Sequence, residues 1–253
     1  MENKLGLALG GGAVLGAAHI GVLKAMEENH LSISAISGTS IGALVAAFYA
    51  FGNSYDDIEN MILDIGWSDI SSFTLSKLGL MTNKKIEKLI HKHIGEVNIE
   101  DSEIPLRIVS TNINDGSMYL FEKGDLAQAV MASTCLPGVY EPIRNNGALL
   151  VDGGIVENVP ISPLKGMKLD KIIAVDLNTN HNYGTPKNMV ELLVNSFHYL
   201  LAAVVKSQIK ETDVLIQPDM TKFNLYDTKQ VRQLVKVGYD TAKDKFKQSA
   251  LLV

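Results

Sequence analysis

The 253-residue chain has a single cysteine, Cys135, so no intramolecular disulfide can form and nothing calls for an oxidising compartment. Basic residues are also short. The 23 Lys and Arg stand against 28 Asp and Glu, a net charge of -5, which lacks the basic footprint of a nucleic-acid binder. No secretory leader is expected, because the apolar residues 5–9 run directly into glycines. The longest apolar stretch, 41–51, is about half of what a bilayer span needs. Together these absences lead us to expect a cytoplasmic protein, with any membrane contact peripheral and at the inner face. No cluster of His, Cys or acidic residues has ligand spacing, so neither a metal nor another cofactor is expected. Linkers, internal repeats and low-complexity runs are absent too. Residues 1–253 therefore read as one domain, with 54–101 a helical cap or flap inside it.

What remains is an ordinary globular composition, 46% hydrophobic and 20% charged. Residues 5–9 predict a buried strand ended by Gly10-Gly11-Gly12, and 14–28 a helix packed through Ile20, Leu23, Ala25 and Met26. A second strand at 33–37 and a second helix at 41–51 follow, so the first 52 residues hold two strand–turn–helix units and point to a parallel sheet. Residues 54–101 read as helical around a loop-like 71–81. Strands at 106–111 and 117–121 flank an Asp115-Gly116 hairpin turn, Asp125 caps a helix to 133, and a second hairpin turns at Asn145-Asn146-Gly147 before a strand at 148–151. Strands at 172–176 and 214–217 and helices at 188–210 and 228–247 complete the reading.

Three motifs stand at predicted strand ends. Gly38-Thr39-Ser40-Ile41-Gly42 is a G-x-S-x-G sequence between strand and helix, the place of a nucleophile elbow; the plainer reading is a loop with a helix-capping serine. Gly10 to Gly16 lacks the Gly-Lys-Ser/Thr of a P-loop. It also fails a dinucleotide fingerprint, because the third glycine would fall on Leu15. An oxyanion hole built from the backbone N–H groups of Gly11, Gly12, Ala13, Val14 and Leu15 survives this comparison. Val151-Asp152-Gly153-Gly154 sets an aspartate at a strand end, where the plainer reading is an Asp-Gly turn. Among the histidines, His19 reads as packed or capping, and His30, His91 and His93 as surface residues. His181 and His198 follow Asp176 in the order of an α/β-hydrolase triad, but neither sits in a catalytic-loop context.

Residues 7–23, 36–47 and 151–160 together resemble the three blocks of the patatin-like phospholipases: a glycine-rich oxyanion loop, a G-x-S-x-G elbow and an Asp-Gly-Gly motif. Residues 104–111 and 132–142 resemble the same family, as do Asn158 and Pro160. The resemblance implies a three-layer α/β/α sandwich with a mostly parallel central sheet. It also implies a Ser–Asp dyad in which Ser40 attacks an acyl carbonyl and Asp152 takes its proton, with Gly38, Gly42, Gly153 and Gly154 as the motif glycines. The implied activity is hydrolysis of lipid carboxylic esters, phospholipid or lysophospholipid, without metal. Acyl transfer or thioester cleavage on an acyl carrier, and a non-catalytic lipid-binding regulator, stand as alternatives. One departure is visible: the family's third loop glycine falls on Ala13 and its cation on Leu15, which removes positive charge from the expected site.

Overall fold

A computed structural model describes residues 3–64, 72–73, 79–178, 184–225 and 227–249. The order begins β1 (Leu5–Leu9), α1 (Ala17–Glu28), β2 (Ile33–Thr39), α2 (Ile41–Ala50), α3 (Tyr55–Asp64), β3 (Ser72–Phe73), β4 (Gly79–Thr82) and α4 (Lys84–His93). It continues β5 (Leu106–Asn112), β6 (Ser117–Phe121), α5 (Leu126–Ser133), β7 (Gly138–Tyr140), β8 (Ile143–Asn145), β9 (Ala148–Asp152) and α6 (Gly154–Glu157). The last elements are β10 (Lys171–Val175), α7 (Met189–Gln208), β11 (Val214–Ile216) and α8 (Val231–Gln248).

The main sheet has the order β11-β10-β1-β2-β5-β9-β8, with β6 also paired to β5. Its first five strands run parallel, and β6, β8 and β9 are added antiparallel. This is the mostly parallel α/β/α sheet that the resemblance implied.

Side-chain size differs between its faces. On β1, Leu5, Leu7 and Leu9 join the large core with Ile36, Ile173 and Val175, together with residues of α1, α2, α5 and α8. Ala8, Ala35 and Ala174 point the other way, into a smaller cluster with Val159, Ile161, Leu164 and Val205 of α7. Strand alternation explains the split, and the small residues let α7 and the 154–164 segment lie close to the sheet.

Turn chemistry behaves as the sequence predicts. Asp125 accepts from the Gln128 amide at 2.6 Å, and Asn146 and Gly147 take φ of 47° and 83° between β8 and β9. Two local readings need correction. The 14–28 helix opens with a 3-10 turn, Ala13–Gly16. The loop expected at 71–81 contributes β3 and β4 to a second, three-stranded sheet, β3-β4-β7. Leu75 and Leu78 of that stretch lie outside the described residues. Helix α4 buries Ile86 and Ile90 and exposes Lys84, Lys88 and Lys92, an amphipathic helix laid on the core.

Candidate active site

Ser40 is the only residue between β2 and α2, at φ 54° and ψ -126°. A non-glycine residue there costs about 1–3 kcal/mol and persists only where its surroundings hold it. Here the Ser40 amide donates to the Ser133 hydroxyl at 2.8 Å, and its carbonyl accepts from Ala43 at 2.9 Å. The turn is tight because α2 starts against β1: a Cβ on Gly42 would lie 2.1 Å from the Leu9 carbonyl oxygen. Only glycine fits there.

Asp152 reaches Ser40 through strand register. One edge of β5 carries β2 along Leu106–Val109 and then β9 along Ser110–Asn112, while β6 takes the other edge. Strands β2 and β9 therefore meet at their carboxyl ends, with Thr39 opposite Val109 and Asp152 opposite Ser110. The Asp152 side chain is 2% exposed. It is hydrogen-bonded to the Ser40 side chain, and its Oδ1 accepts from the Gly154 amide at 2.8 Å. Burial pushes its carboxyl up to about 6, against the two hydrogen bonds, which favour the charged form. Side-chain hydroxyls tie the two motifs together: Thr39 donates to the Glu157 carbonyl at 2.9 Å and Ser37 to that of Pro160 at 2.5 Å.

The glycine loop lies beside Ser40; a Cβ on Gly11 would stand 3.2 Å from the serine Cβ. Of its five expected N–H donors, three are engaged within the fold. Gly11 donates to the Asn158 carbonyl at 3.1 Å, Val14 to that of Leu225 at 3.4 Å and Leu15 to that of Gly12 at 3.1 Å. Gly12 and Ala13 are left without a backbone acceptor among the described residues. Ala13 takes φ 50°, which explains why a glycine would sit there at less cost. Leu15 is wholly buried in the core. The expectation that this position governs charge at the site is therefore corrected, because a side chain at 15 meets apolar neighbours.

The loop is held from beneath. His19 Nε2 donates to the Gly10 carbonyl at 2.7 Å, and burial lowers the imidazole to about 4, so the ring stays neutral. Asn178 Nδ2 donates to the Gly11 carbonyl at 2.6 Å, and its Oδ1 accepts from His198 Nδ1 at 3.0 Å. This places His198 one residue behind the loop. His181 lies outside the described residues, and Asp176 accepts from Gln217 Nε2 at 3.0 Å. Burial raises the Cys135 thiol to about 12, so it is no nucleophile.

Asn158 is the residue whose place the motif reading did not interpret. It is fully buried, and neither its Oδ1 nor its Nδ2 has a partner among the described residues. Its Oδ1 lies 2.6 Å from where a Gly11 Cβ would stand and 3.1 Å from where a Gly154 Cβ would stand. The signal available in the sequence was its position after the Asp-Gly-Gly motif. Among the described residues, no group of three or more His, Cys, Asp or Glu side chains is arranged to hold a metal.

Known proteins resemble this chain in sequence and in fold. An uncharacterized NTE family protein of Mycobacterium tuberculosis is 35% identical over 178 residues, which is 69% of this chain and 49% of the relative. Lysophospholipase NTE1 of Saccharomyces cerevisiae is 27% identical over 276 residues, 93% of this chain and 16% of that protein. The chain thus spans about half or less of the length of these relatives. VipD from Legionella pneumophila has the same fold, at a TM-score of 0.58 and 16% identity, covering 98% of this chain and 67% of that one. The profile of the patatin-like phospholipases matches residues 7–165, which contain all three motifs, and the chain belongs to that family.

Proposed function

We propose that the chain is a serine acyl hydrolase that cleaves carboxylic esters of lipids through Ser40 and Asp152. The observation that carries this reading is the Ser40 hydroxyl, presented on a strained elbow and hydrogen-bonded to a buried carboxylate. A carboxylate raised to about 6 is a stronger base than a solvated one and is still ionised at neutral pH. Asp152 takes the hydroxyl proton as Ser40 Oγ adds to the acyl carbon. The carbonyl electron pair moves onto oxygen, where the N–H groups of Gly12 and Ala13 and the carboxamide of Asn158 receive it. Collapse expels the alcohol, which leaves with the proton from Asp152, and an acyl-serine remains. Water, deprotonated by Asp152, then adds to the acyl carbon, and the fatty acid is released as the proton passes from Asp152 back to Ser40 Oγ.

The relatives named lysophospholipases bring lysophospholipids forward as the substrate class, with phospholipids beside them. Such substrates sit in aggregates, so this reading includes peripheral contact with a lipid surface. The test is fluorophosphonate labelling with mapping of the modified residue, followed by turnover of esters of increasing chain length. Label on Ser40, lost in a folded Ser40→Ala variant together with turnover, is the expected result. Hydrolysis by Ser40→Ala at the parent rate sinks the reading.

A further inference from the structure

Helix α7 is the anomaly of the surface. Met189 is 75% exposed, Leu200 67%, Leu192 and Tyr199 53% each and Leu193 44%. With Val204 they lie on one face of the helix, which exposed Ser196 interrupts between Leu193 and Tyr199. No charged residue occurs between Glu191 and Lys206. By length and composition, Met189–Glu211 would pass for a membrane span, yet only 28% of its apolar stretch is buried in the fold. It does not behave as a span, because the opposite face is fixed to the protein. His198, Asn195, Leu201 and Val205 are buried there, and His198 belongs to the hydrogen-bond chain under the glycine loop.

We propose that the exposed face of α7 docks the protein on a phospholipid bilayer, beside the Ser40–Asp152 site. Three observations favour lipid over a protein partner. The first is position: Leu201 Cδ1 lies 3.0 Å, and Asp152 Oδ1 3.1 Å, from the same point at Gly154, so α7 borders the carboxylate. Leu201 lies on the buried face of the helix, so the docking face stands about one helix width, roughly 10 Å, from the site. The second is charge. The face is uncharged and is bracketed by exposed Lys187 at one end and Lys206 and Lys210 at the other. That is the arrangement of an interfacial helix whose lysines reach the headgroups, on a chain that is otherwise acidic. The third is area. The helix has 20 residues. Its face is therefore about 30 Å long and about 10 Å wide, or roughly 300 Å², against about 800 Å² per partner in a stable protein interface. A second copy docked on α7 alone falls well short of that.

The docking step stands on exposure and charge; only its link to turnover rests on the hydrolase reading. The experiment is co-sedimentation of the full chain with vesicles of equimolar phosphatidylcholine and phosphatidylglycerol, run beside a Leu192→Asp/Leu200→Asp variant. Circular dichroism checks the variant's fold. The milder Leu200→Ser replaces it if the double change does not fold, with a smaller loss expected. The wild-type chain should partition onto vesicles, and the double variant should lose about a hundredfold or more, the order expected for withdrawing two leucines from an apolar phase. Hydrolysis of a soluble short-chain ester should be unchanged, while hydrolysis of vesicle phospholipid falls with binding. Equal partitioning of the folded double variant overturns the proposal. So does a wild-type dimer, seen by analytical ultracentrifugation, that the same substitutions dissolve. Vesicle binding lost in the variant, with no ester hydrolysis by either protein, would uphold docking and remove the hydrolase reading.

Discussion

The amide of Ser40 donates to the hydroxyl of Ser133 at 2.8 Å, and that hydroxyl donates in turn to the Val109 carbonyl at 2.7 Å. Ser133 thus fastens the strained elbow to β5, the strand that also sets the register of Asp152. Ser133→Ala leaves the Ser40 amide and the Val109 carbonyl without this partner, at a cost of about 1–3 kcal/mol for a buried group left unmade. We expect lower stability in denaturant titration and a fall of about tenfold in kcat on a soluble ester, with KM little changed. An unchanged kcat would show that the elbow keeps its geometry without this bond.

Asp152 gives two pH dependences of opposite sense. Its carboxyl titrates at about 6 in the folded protein, against 3.8 for the ordinary group. The native state therefore holds this proton more tightly than the unfolded chain does. The contribution to stability is complete below pH 3.8 and is lost as the pH rises through about 6. Above that, the buried charge costs the fold on the order of 3 kcal/mol. Asp152→Asn should be more stable than the parent at pH 8, with the gap closing below about pH 4. Activity runs the other way, because the base must be ionised: kcat/KM should rise about tenfold per pH unit up to the carboxylate's pKa and then level off. His19, lowered to about 4, does not supply that limb. Parallel stability profiles for parent and variant would remove the buried-carboxylate account.

The elements that shape the site were legible because they are local. The elbow at Ser40, the loop at Gly10 to Gly12 and the strand end at Asp152 each announce themselves through glycines beside a short apolar run, and turn residues mark Asp115-Gly116 and Asn146-Gly147. What the sequence hid are partnerships across long separations. Which loop N–H groups are free depends on Leu225 and Asn158 as acceptors for Val14 and Gly11. The small sheet forms because Gly79 pairs with Gly138 and Met81 with Tyr140, and neither strand is long enough to show a pattern alone. Leu15 looked like a missing cation in the motif, and only packing reveals that it points into the core. In α7 the sequence predicts the helix, but not that Leu192 and Leu200 stay exposed, since periodicity identifies an apolar face and not whether anything covers it.

Asn158 separates a structural strut from a group that acts on substrate. Its carboxamide is wholly buried with both polar atoms unpartnered among the described residues, an arrangement that ordinarily costs about 1–3 kcal/mol. Asn158→Ala removes that cost but opens a small cavity, and the two effects oppose each other. Net stability should move by no more than about 1 kcal/mol. The backbone carbonyl that accepts from Gly11 is untouched by the change, so the loop keeps its anchor. If the carboxamide N–H meets the oxyanion, kcat on a soluble ester should fall by about 10²–10³ with KM nearly constant, as for the loss of one oxyanion donor. Thermal unfolding and steady-state kinetics on the same preparation decide it. A strut would give the reverse pattern, a clear loss of stability with kcat preserved, because the site would still hold Gly12, Ala13 and the Ser40–Asp152 pair in place.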